Sequence, residues 1–481
     1  MTQDRLRPLV VDLDGTLVQT DTLHEQALAL AREHPLQVLL LPAWLSRGKA
    51  QLKQALARRV ALDAATLPYN ADLLDWLKTQ RAAGRTLVLC TAADAQTAQA
   101  VARHLGIFDE VLASDGQTNL SARRKADGLV RRFGPQGFDY VGNSRDDLTV
   151  WQAACRAFVV NAPAAVLKAA QRHGNVDEVF PAPALQARDW RRMLRVHQWL
   201  KNLLLFVPLL AAHQFGNAAA WGAVLLAFLS FSLCASAVYI GNDLLDLASD
   251  RLHPRKRLRP FASGRVPVAR GAAVAPLLLA ASVALGCGVG PGFLGWLAVY
   301  FLLTCWYSVT LKRLVLLDCM TLAGLYTLRV VAGGAAAGLV LSHWLLAVSG
   351  FVFLSLSFLK RHAELRPLIE RGDNAAAHGR GYVAQDAPLV QMLGIGAGYA
   401  AAVVLALYLH GETVQALYRL PHAILLTVGV LVFWISWLWL KSHRGEMHDD
   451  PVIFAVKDRV SLACGVVFAA SLVLATLGLP W

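Results

Sequence analysis

From about residue 199 to its end the chain is a succession of long apolar blocks separated by short charged loops. Such a pattern leaves few folds open. About 20 apolar residues cross the hydrocarbon core of a bilayer as a helix, and inside that core every backbone polar group must be satisfied within the protein. About nine blocks approach that length: 199–215, 219–241, 271–289, 291–309, 317–338, 341–359, 389–410, 421–440 and 460–480. With 56% hydrophobic and only 16% charged residues the chain is too apolar for an ordinary soluble protein. The first 180 or so positions carry mixed charge instead. The expectation is a soluble α/β domain over 1–182, followed by an all-α membrane domain over 183–481.

The loops between blocks alternate in charge. Arg251, Arg255, Lys256, Arg257, Arg259 and Arg265 fall in one, Lys312 and Arg313 in another. Lys360, Arg361, Arg366, Arg371 and Arg380 follow, then Lys441, Arg444 and Lys457. Loops between these carry almost no cations, Arg419 excepted. The positive-inside rule puts the basic loops on the cytoplasmic side of an inner membrane, with the front domain and its approach Arg191, Arg192, Arg195 and Lys201. Met1 to Pro8 does not resemble a signal peptide. The net charge of +13 is explained by topology and anionic phosphate groups rather than by nucleic acid. Seven scattered cysteines without a CxxC pair indicate neither a disulfide framework nor zinc.

Gly241-Asn242-Asp243-Leu244-Leu245-Asp246-Leu247-Ala248-Ser249-Asp250 closes the second block. Acids at i, i+3 and i+7 fall within about 60° of one another around a helix, so Asp243, Asp246 and Asp250 would share one face. Oxygen ligands of this kind suit Mg²⁺ that also binds water and substrate phosphate oxygens. The alternative is a solvated helix end paired to Arg251, Arg255 or Arg257. Arg329, inside the fifth block, should face a polar cavity or pair with an acid such as Asp318.

This NDxxDxxxD spacing resembles the first aspartate-rich motif of UbiA-type prenyltransferases, and the resemblance covers 185–481. It implies a nine-helix fold with a cytoplasm-facing site. Members that prenylate aromatic rings usually add a DxxxD motif; here Tyr307-Ser308-Val309-Thr310-Leu311-Lys312-Arg313 precedes a lone Asp318, with Leu322 where the second acid would stand. That departure, His253-Pro254-Arg255-Lys256-Arg257 and the tail from Asp449 and Asp450 to Arg459 resemble the decaprenyl-phosphate phosphoribosyltransferase branch. The resemblance implies phosphoribosyl pyrophosphate as donor and a polyprenyl phosphate lipid as acceptor. Mg²⁺ would sit on Asp243, Asp246 and Asp250, with Asn242, Arg255, Arg257, Tyr307, Lys312, Lys360 and Arg361 binding substrate.

At the other end, Pro8-Leu-Val-Val-Asp12-Leu-Asp14 reads as an apolar strand running into two acids, followed by Gly15-Thr16. Catalytic groups of open α/β sheets gather at the carboxyl ends of strands. Asp12 would attack phosphorus, and Asp14 would protonate the leaving group and then activate water. A strand ending in Thr91, then Lys125, then Tyr140-Val-Gly142-Asn143-Ser144-Arg145-Asp146-Asp147 follow in order. The ordered set resembles haloacid-dehalogenase-like phosphatases over residues 1 to about 180, with a Rossmann-like core and a small helical cap inserted between Thr16 and Thr86. The resemblance implies that Thr91 and Lys125 bind the phosphoryl group, while Asp12, Asp14, Asn143 and Asp147 hold Mg²⁺. Asn143 departs from the usual acid, keeping an oxygen ligand but losing a charge.

A phosphoribosyl transfer leaves a 5-phosphate on the lipid-linked sugar, and a tethered phosphatase would remove it. The alternatives are an aromatic prenyltransferase using a polyprenyl diphosphate, with a regulatory or decayed phosphatase domain, and a non-enzymatic transporter or scaffold. The sequence leaves lipid chain length open and admits a homo-oligomer.

Overall fold

A computed structural model describes residues 7–370, 380–408, 418–447 and 450–477; Arg371 and Asp449 lie outside the described residues. The chain forms two compact units, Met1–Leu194 with Tyr239–Pro276, and Arg195–Val238 with Leu277–Trp481.

The first unit is built on a parallel sheet of six strands: β1 (Leu9–Val11), β2 (Leu87–Asp94), β3 (Glu110–Ser114), β4 (Asp139–Gly142), β5 (Ala157–Val160) and β6 (Val176–Phe180). Their order is β3-β2-β1-β4-β5-β6. β1 is therefore central, pairing Leu9 to Val11 with Leu87 to Leu89 on one side and Asp139 to Val141 on the other. All three of its residues are apolar and buried, as befits a strand covered on both faces. Leu9, Val11, Leu73 and Leu77 belong to the core on one face of the sheet, and Val10, Val88, Tyr140 and Trp151 to that on the other. Because the chain winds in opposite directions from β1, the crevice at its carboxyl end is the topological switch point where such sheets hold ligands. Asp12 and Asp14 sit there.

Between β1 and β2 an all-helical insert supplies Thr22–Glu33, Pro35–Leu40, Leu41–Ser46, Lys49–Ala57 and Ala71–Ala82. Asp21 begins the first of these helices, accepting hydrogen bonds from the N–H groups of Leu23 and His24. The helix Lys49–Ala57 is fastened to the core by its amides: Gln51 donates to the Gly116 carbonyl at 3.1 Å and Gln54 to that of Asp115 at 3.2 Å. The unit also takes in the last two turns or so of the helix Ala218–Leu245, the short helix Leu247–Leu252, the connection to Pro267 and the start of the helix Val268–Val289 as far as Pro276.

Eight helices among the described residues are long and apolar enough to cross a membrane: Ala218–Leu245, Val268–Val289, Pro291–Val309, Leu317–Ala337, His343–Glu370, Ala384–Tyr408, His422–His443 and Arg459–Leu477. The chain is a multi-pass membrane protein. The first expected block, 199–215, departs from the pattern. It forms an eleven-residue 3-10 helix, Val196–Phe206, followed by the five-residue helix Val207–Ala211. The reason is its polar content: Lys201 and Asn202 are buried and committed to side-chain partners, and Pro208 cannot continue an existing ladder of backbone bonds. In the second unit the core is a packing of Tyr326, Val330, Phe353, Leu356, Ile435 and Trp439.

Candidate active sites

The switch-point crevice of the sheet holds three charged groups, Asp12, Lys125 and Asp147, joined through the Tyr140 hydroxyl in hydrogen-bonded contact. Lys125, on the helix Ala122–Phe133, donates to Asp12 Oδ1 at 2.8 Å and to the Tyr140 hydroxyl at 2.9 Å. Tyr140 in turn donates to Asp147 Oδ1 at 2.7 Å. The other oxygen of Asp147 accepts from the N–H of Asn143 and from the N–H and hydroxyl of Ser144, at 3.1, 2.9 and 2.8 Å. Asp12, Thr91, Lys125 and Asp147 are all buried. The strand does not end at Thr91 but continues to Asp94, its register to β3 shifting between Cys90 and Asp94, and the Thr91 hydroxyl accepts from the Ala93 N–H at 3.0 Å. Gly15 has φ +73°, and a Cβ there would stand 2.0 Å from Asn143 Nδ2. The Asn143 side chain thus lies directly over the turn that follows the two acids.

Burial separates the roles of the two acids. It pushes Asp12 up to about 6, with Lys125 opposing the rise. Burial and the neighbouring charge of Asp21 push Asp14 to about 7. Asp147 stays below the usual range despite its burial, held ionised by Lys125 and by the Tyr140 and Ser144 hydrogen bonds. Near neutrality Asp12 is thus mostly an anionic nucleophile, while Asp14 retains a proton to give. Lys53 of the inserted helix was not flagged by any motif. Its ammonium donates to the Ala92 carbonyl at 2.6 Å and to Asn119 Oδ1 at 3.0 Å. Burial lowers its pKa, with the charges of Asp14 and Asp21 opposing.

In the same unit, the aspartate-rich segment straddles a helix break at Asp246, between Leu245 and Leu247. Arg259 Nη1 lies 3.0 Å from Asp243 Oδ1 and 2.6 Å from Asp250 Oδ2. The carboxylates of Asp243 and Asp250 are buried and reach one common cation. Burial raises the pKa of Asp250, against the pull of Arg259. Asn242 and Asp246 are half-buried. Arg255 and Arg257 are exposed, so the basic residue facing the acids is Arg259, two positions beyond the expected pair.

Next to Asp250, Arg251 forms a two-pronged pair with Glu25 of the inserted helix, at 2.5 and 2.7 Å.

The second unit contains two buried ionic clusters. In one, Asp450 Oδ2 accepts from Lys201 at 2.7 Å and Lys360 at 3.1 Å, with the Tyr326 hydroxyl 3.4 Å from Oδ1. Burial would raise Asp450, but the two ammonium groups hold it well below the carboxylate range. In the other, Asp318 accepts from Tyr382 at 2.6 Å and lies 2.6 Å from Arg361 Nη2. Asp318 and Arg361 are both fully enclosed. Arg361 also pairs with Glu364, and Arg380 lies 3.1 Å from the Tyr307 hydroxyl. Arg361 therefore neutralises the lone acid of this region, and Lys312 lies half-buried at the turn after Val309. Arg329 does not pair with Asp318. It donates to Asn202 Oδ1, the Leu325 carbonyl and the Tyr300 hydroxyl, among the rings of Phe231, Tyr300 and Tyr326.

Among the described residues, no group of three or more His, Cys, Asp or Glu side chains stands ready to cage a metal unaided. Both acidic sites nevertheless suit a hard cation that completes its shell with water, carbonyl or phosphate oxygens. At one, Asp147 adds to the rise of Asp12, and Asp21 and Asp12 add to that of Asp14, a repulsion that a divalent ion would relieve. At the other, Asp243 and Asp250 already converge on a single positive atom.

Comparison with known proteins agrees with this division. The family described as UbiA prenyltransferase matches residues 203–455, and haloacid dehalogenase-like hydrolase matches residues 9–152. The uncharacterized protein y4nM of Sinorhizobium fredii is 38% identical over 476 residues, covering 98% of this chain and 92% of that protein. Nodulation protein NoeC of Azorhizobium caulinodans is 37% identical over 286 residues, 58% of this chain and 90% of its own length. Decaprenyl-phosphate phosphoribosyltransferase of Mycolicibacterium smegmatis is 37% identical over 186 residues, 37% of this chain and 58% of that enzyme. The chain belongs to the UbiA prenyltransferase family and carries an N-terminal haloacid dehalogenase-like hydrolase domain.

Proposed function

We propose that this protein transfers a 5-phosphoribosyl group from phosphoribosyl pyrophosphate to a polyprenyl phosphate at the cytoplasmic face of the inner membrane. Its hydrolase domain then removes the 5-phosphate, giving polyprenyl-phosphoryl-ribose. The observation that carries the reading is the enclosure of Asp318 by Arg361. Asp318 is sealed in with the fully enclosed Arg361, whereas the guanidinium on Asp243 and Asp250, that of Arg259, is 29% exposed, which supports the aspartate-rich segment as the acidic pole for a diphosphate. Matches to decaprenyl-phosphate phosphoribosyltransferases support the choice of donor and acceptor.

In the transferase half, Asp243, Asp246 and Asp250 would hold Mg²⁺, which when bound neutralises the charge developing on the departing diphosphate. Arg259 leaves the acids for the substrate phosphates. The acceptor phosphate is already anionic and forms the new bond at the anomeric carbon as the carbon–diphosphate bond breaks; no general base is required. In the hydrolase half, Asp12 attacks the phosphorus and Asp14 delivers its proton to the departing 5-oxygen. Asp14 then takes a proton from the water that cleaves the aspartyl phosphate. Lys125 favours the ionised form of Asp12 before it attacks and keeps Asp147 ionised, and Thr91 holds a phosphoryl oxygen. Asp12, Asp14, Asn143 and Asp147 would hold the hydrolase Mg²⁺.

The test is incubation of the purified protein with Mg²⁺, polyprenyl phosphate and radiolabelled phosphoribosyl pyrophosphate. Label should enter the lipid phase in the wild type, vanish with Asp246→Ala, and retain its 5-phosphate with Asp12→Asn. Absence of lipid label in the wild type would overturn the reading and direct attention to polyprenyl diphosphates with aromatic acceptors.

A further inference from the structure

The inserted segment of the hydrolase domain contains an apolar surface that its own packing does not use. Pro35–Ser46 reads Pro-Leu-Gln-Val-Leu-Leu-Leu-Pro-Ala-Trp-Leu-Ser and is helical throughout. Its inward side is accounted for, since Leu41 and Trp44 pack on the buried Leu30, Leu56 and Val60. Its outward side presents Leu36, Leu39, Leu40 and Leu45, which are 82, 78, 43 and 52% exposed. Single exposed leucines are ordinary, but four within ten residues form a contiguous patch of the kind that marks an interaction surface.

The surroundings of the patch identify what it meets. From His34 to Leu62 the sequence contains no acid and five cations: Arg47, Lys49, Lys53, Arg58 and Arg59. A shallow pocket of about 170 Å³ beside the leucines is lined by Trp44, Arg47, Gln51, Gln54, Arg58 and Arg59. Arg59 stacks on Trp44 with its guanidinium carbon 4.3 Å from the ring centroid. An apolar face rimmed by arginine and tryptophan, in a stretch with no acid between Glu33 and Asp63, is the composition that settles into the boundary of an anionic bilayer. A second, independent contact holds the segment near such a boundary. The preceding helix, Thr22–Glu33, is tied through Glu25 to Arg251, just beyond the end of the membrane span Ala218–Leu245.

We propose that Pro35–Ser46 is an interfacial anchor. Leu36, Leu39, Leu40 and Leu45 enter the acyl boundary of the membrane, while Arg47, Arg58 and Arg59 bind the phosphates of anionic lipid headgroups. The anchor holds the insert of the hydrolase at the lipid surface, whatever phosphate ester that domain cleaves.

The test uses the full-length protein in nanodiscs of phosphatidylglycerol containing a trace of phospholipid with a diazirine on its acyl chain. After irradiation, trypsin releases Glu33–Arg47 as one peptide. The expected result is label in Glu33–Arg47 and in the span peptides, with none in the exposed helix Ala71–Ala82. Label in Glu33–Arg47 should fall roughly fivefold or more when phosphatidylcholine replaces phosphatidylglycerol, and about tenfold in the Leu36→Ser/Leu39→Ser variant. Because both leucines are surface groups, that variant keeps its fold, checked by unchanged label in the spans. An unlabelled Glu33–Arg47 beside labelled spans would overturn the proposal, as would label indifferent to lipid charge. Cross-links joining Glu33–Arg47 to a second copy, with no lipid label, would assign the patch to self-association and also overturn it.

Discussion

Glu25 and Arg251 form a two-pronged ion pair between residues 226 positions apart, each almost wholly enclosed. One belongs to the hydrolase insert, the other to the short helix containing Asp250. Removing one partner strands the other charge, a loss of about 3–5 kcal/mol for a buried pair. Glu25→Ala should lower the thermal midpoint in detergent by several degrees, and Glu25→Ala/Arg251→Met should recover most of it. A double-variant cycle on unfolding midpoints checks this, and additive losses would show that the pair is uncoupled.

Arg361 and Asp318 make a similar prediction inside the helical unit. Neither is exposed, so Arg361→Leu leaves the buried Asp318 carboxylate with only the longer 3.5 Å ionic contact to Arg380 and should destabilise by roughly 3 kcal/mol. Arg361→Leu/Asp318→Leu should be closer to wild type than either single variant. Thermal aggregation midpoints of the three proteins, measured side by side, provide the comparison.

Asn143 lies over Gly15, at the position where the motif it resembles has an acid. Asn143→Asp adds a charge to an oxygen set of unchanged shape. The Mg²⁺ concentration giving half-maximal phosphatase rate should fall about tenfold, the order expected of one added ligand charge. Transfer of label to lipid should stay the same. A half-saturation that does not move would show that Asn143 does not face the metal.

Mg²⁺ binding to the hydrolase should also release protons. Without metal, burial puts Asp12 at about 6 and Asp14 at about 7. A cation favours their charged forms, so at pH 6.5 binding must expel protons, and well above both values it has few left to expel. Titration calorimetry of Asp246→Ala, in buffers of different ionisation enthalpy, reads the hydrolase site. Equal proton release at pH 6.5 and about 8.5 would contradict the assignment.

Arg259 bridges Asp243 and Asp250. Arg259→Gln should reduce lipid labelling about 100-fold, comparable to losing an electrostatic contact to a developing charge, while leaving phosphatase activity on a soluble ester intact. Unaltered lipid labelling would restrict Arg259 to a structural role.

Much of this was legible in the sequence because the residues concerned lie at fixed offsets from elements with strong periodicity. Asp12 and Asp147 follow the ends of β1 and β4, and Thr91 stands at the irregular part of β2, after apolar runs that announce those strands. The aspartate-rich segment is legible only in part: Asp243 and Asp250 meet at Arg259, but the helix breaks at Asp246, so one continuous helical face does not carry all three acids. What failed depends on how loops turn. Arg255, Arg257 and Arg259 look equivalent in sequence, yet a short 3-10 turn at Lys256–Leu258 exposes two of them and leaves the third against the acids. Lys201 and Asp450 are 249 positions apart, and no local pattern announces the pairing. The block 199–215 is apolar enough to read as a span, and only the partners found by Lys201 and Asn202 reveal a tighter helix. For Arg361 the residue was noticed, but charge in a basic loop says nothing of whether an acid such as Asp318 is enclosed with it.

The separation of Glu25 from Arg251 also orders events during synthesis. The six strands of the sheet end at Phe180, so the hydrolase core can form while the later chain is still being made. Its insert then carries Glu25 without a counter-ion until Arg251 has left the ribosome, after the whole of Ala218–Leu245. Completion of the soluble half therefore waits on translation of the first long membrane helix, and a chain stopped between the two would display a hydrolase with one charge still unmatched.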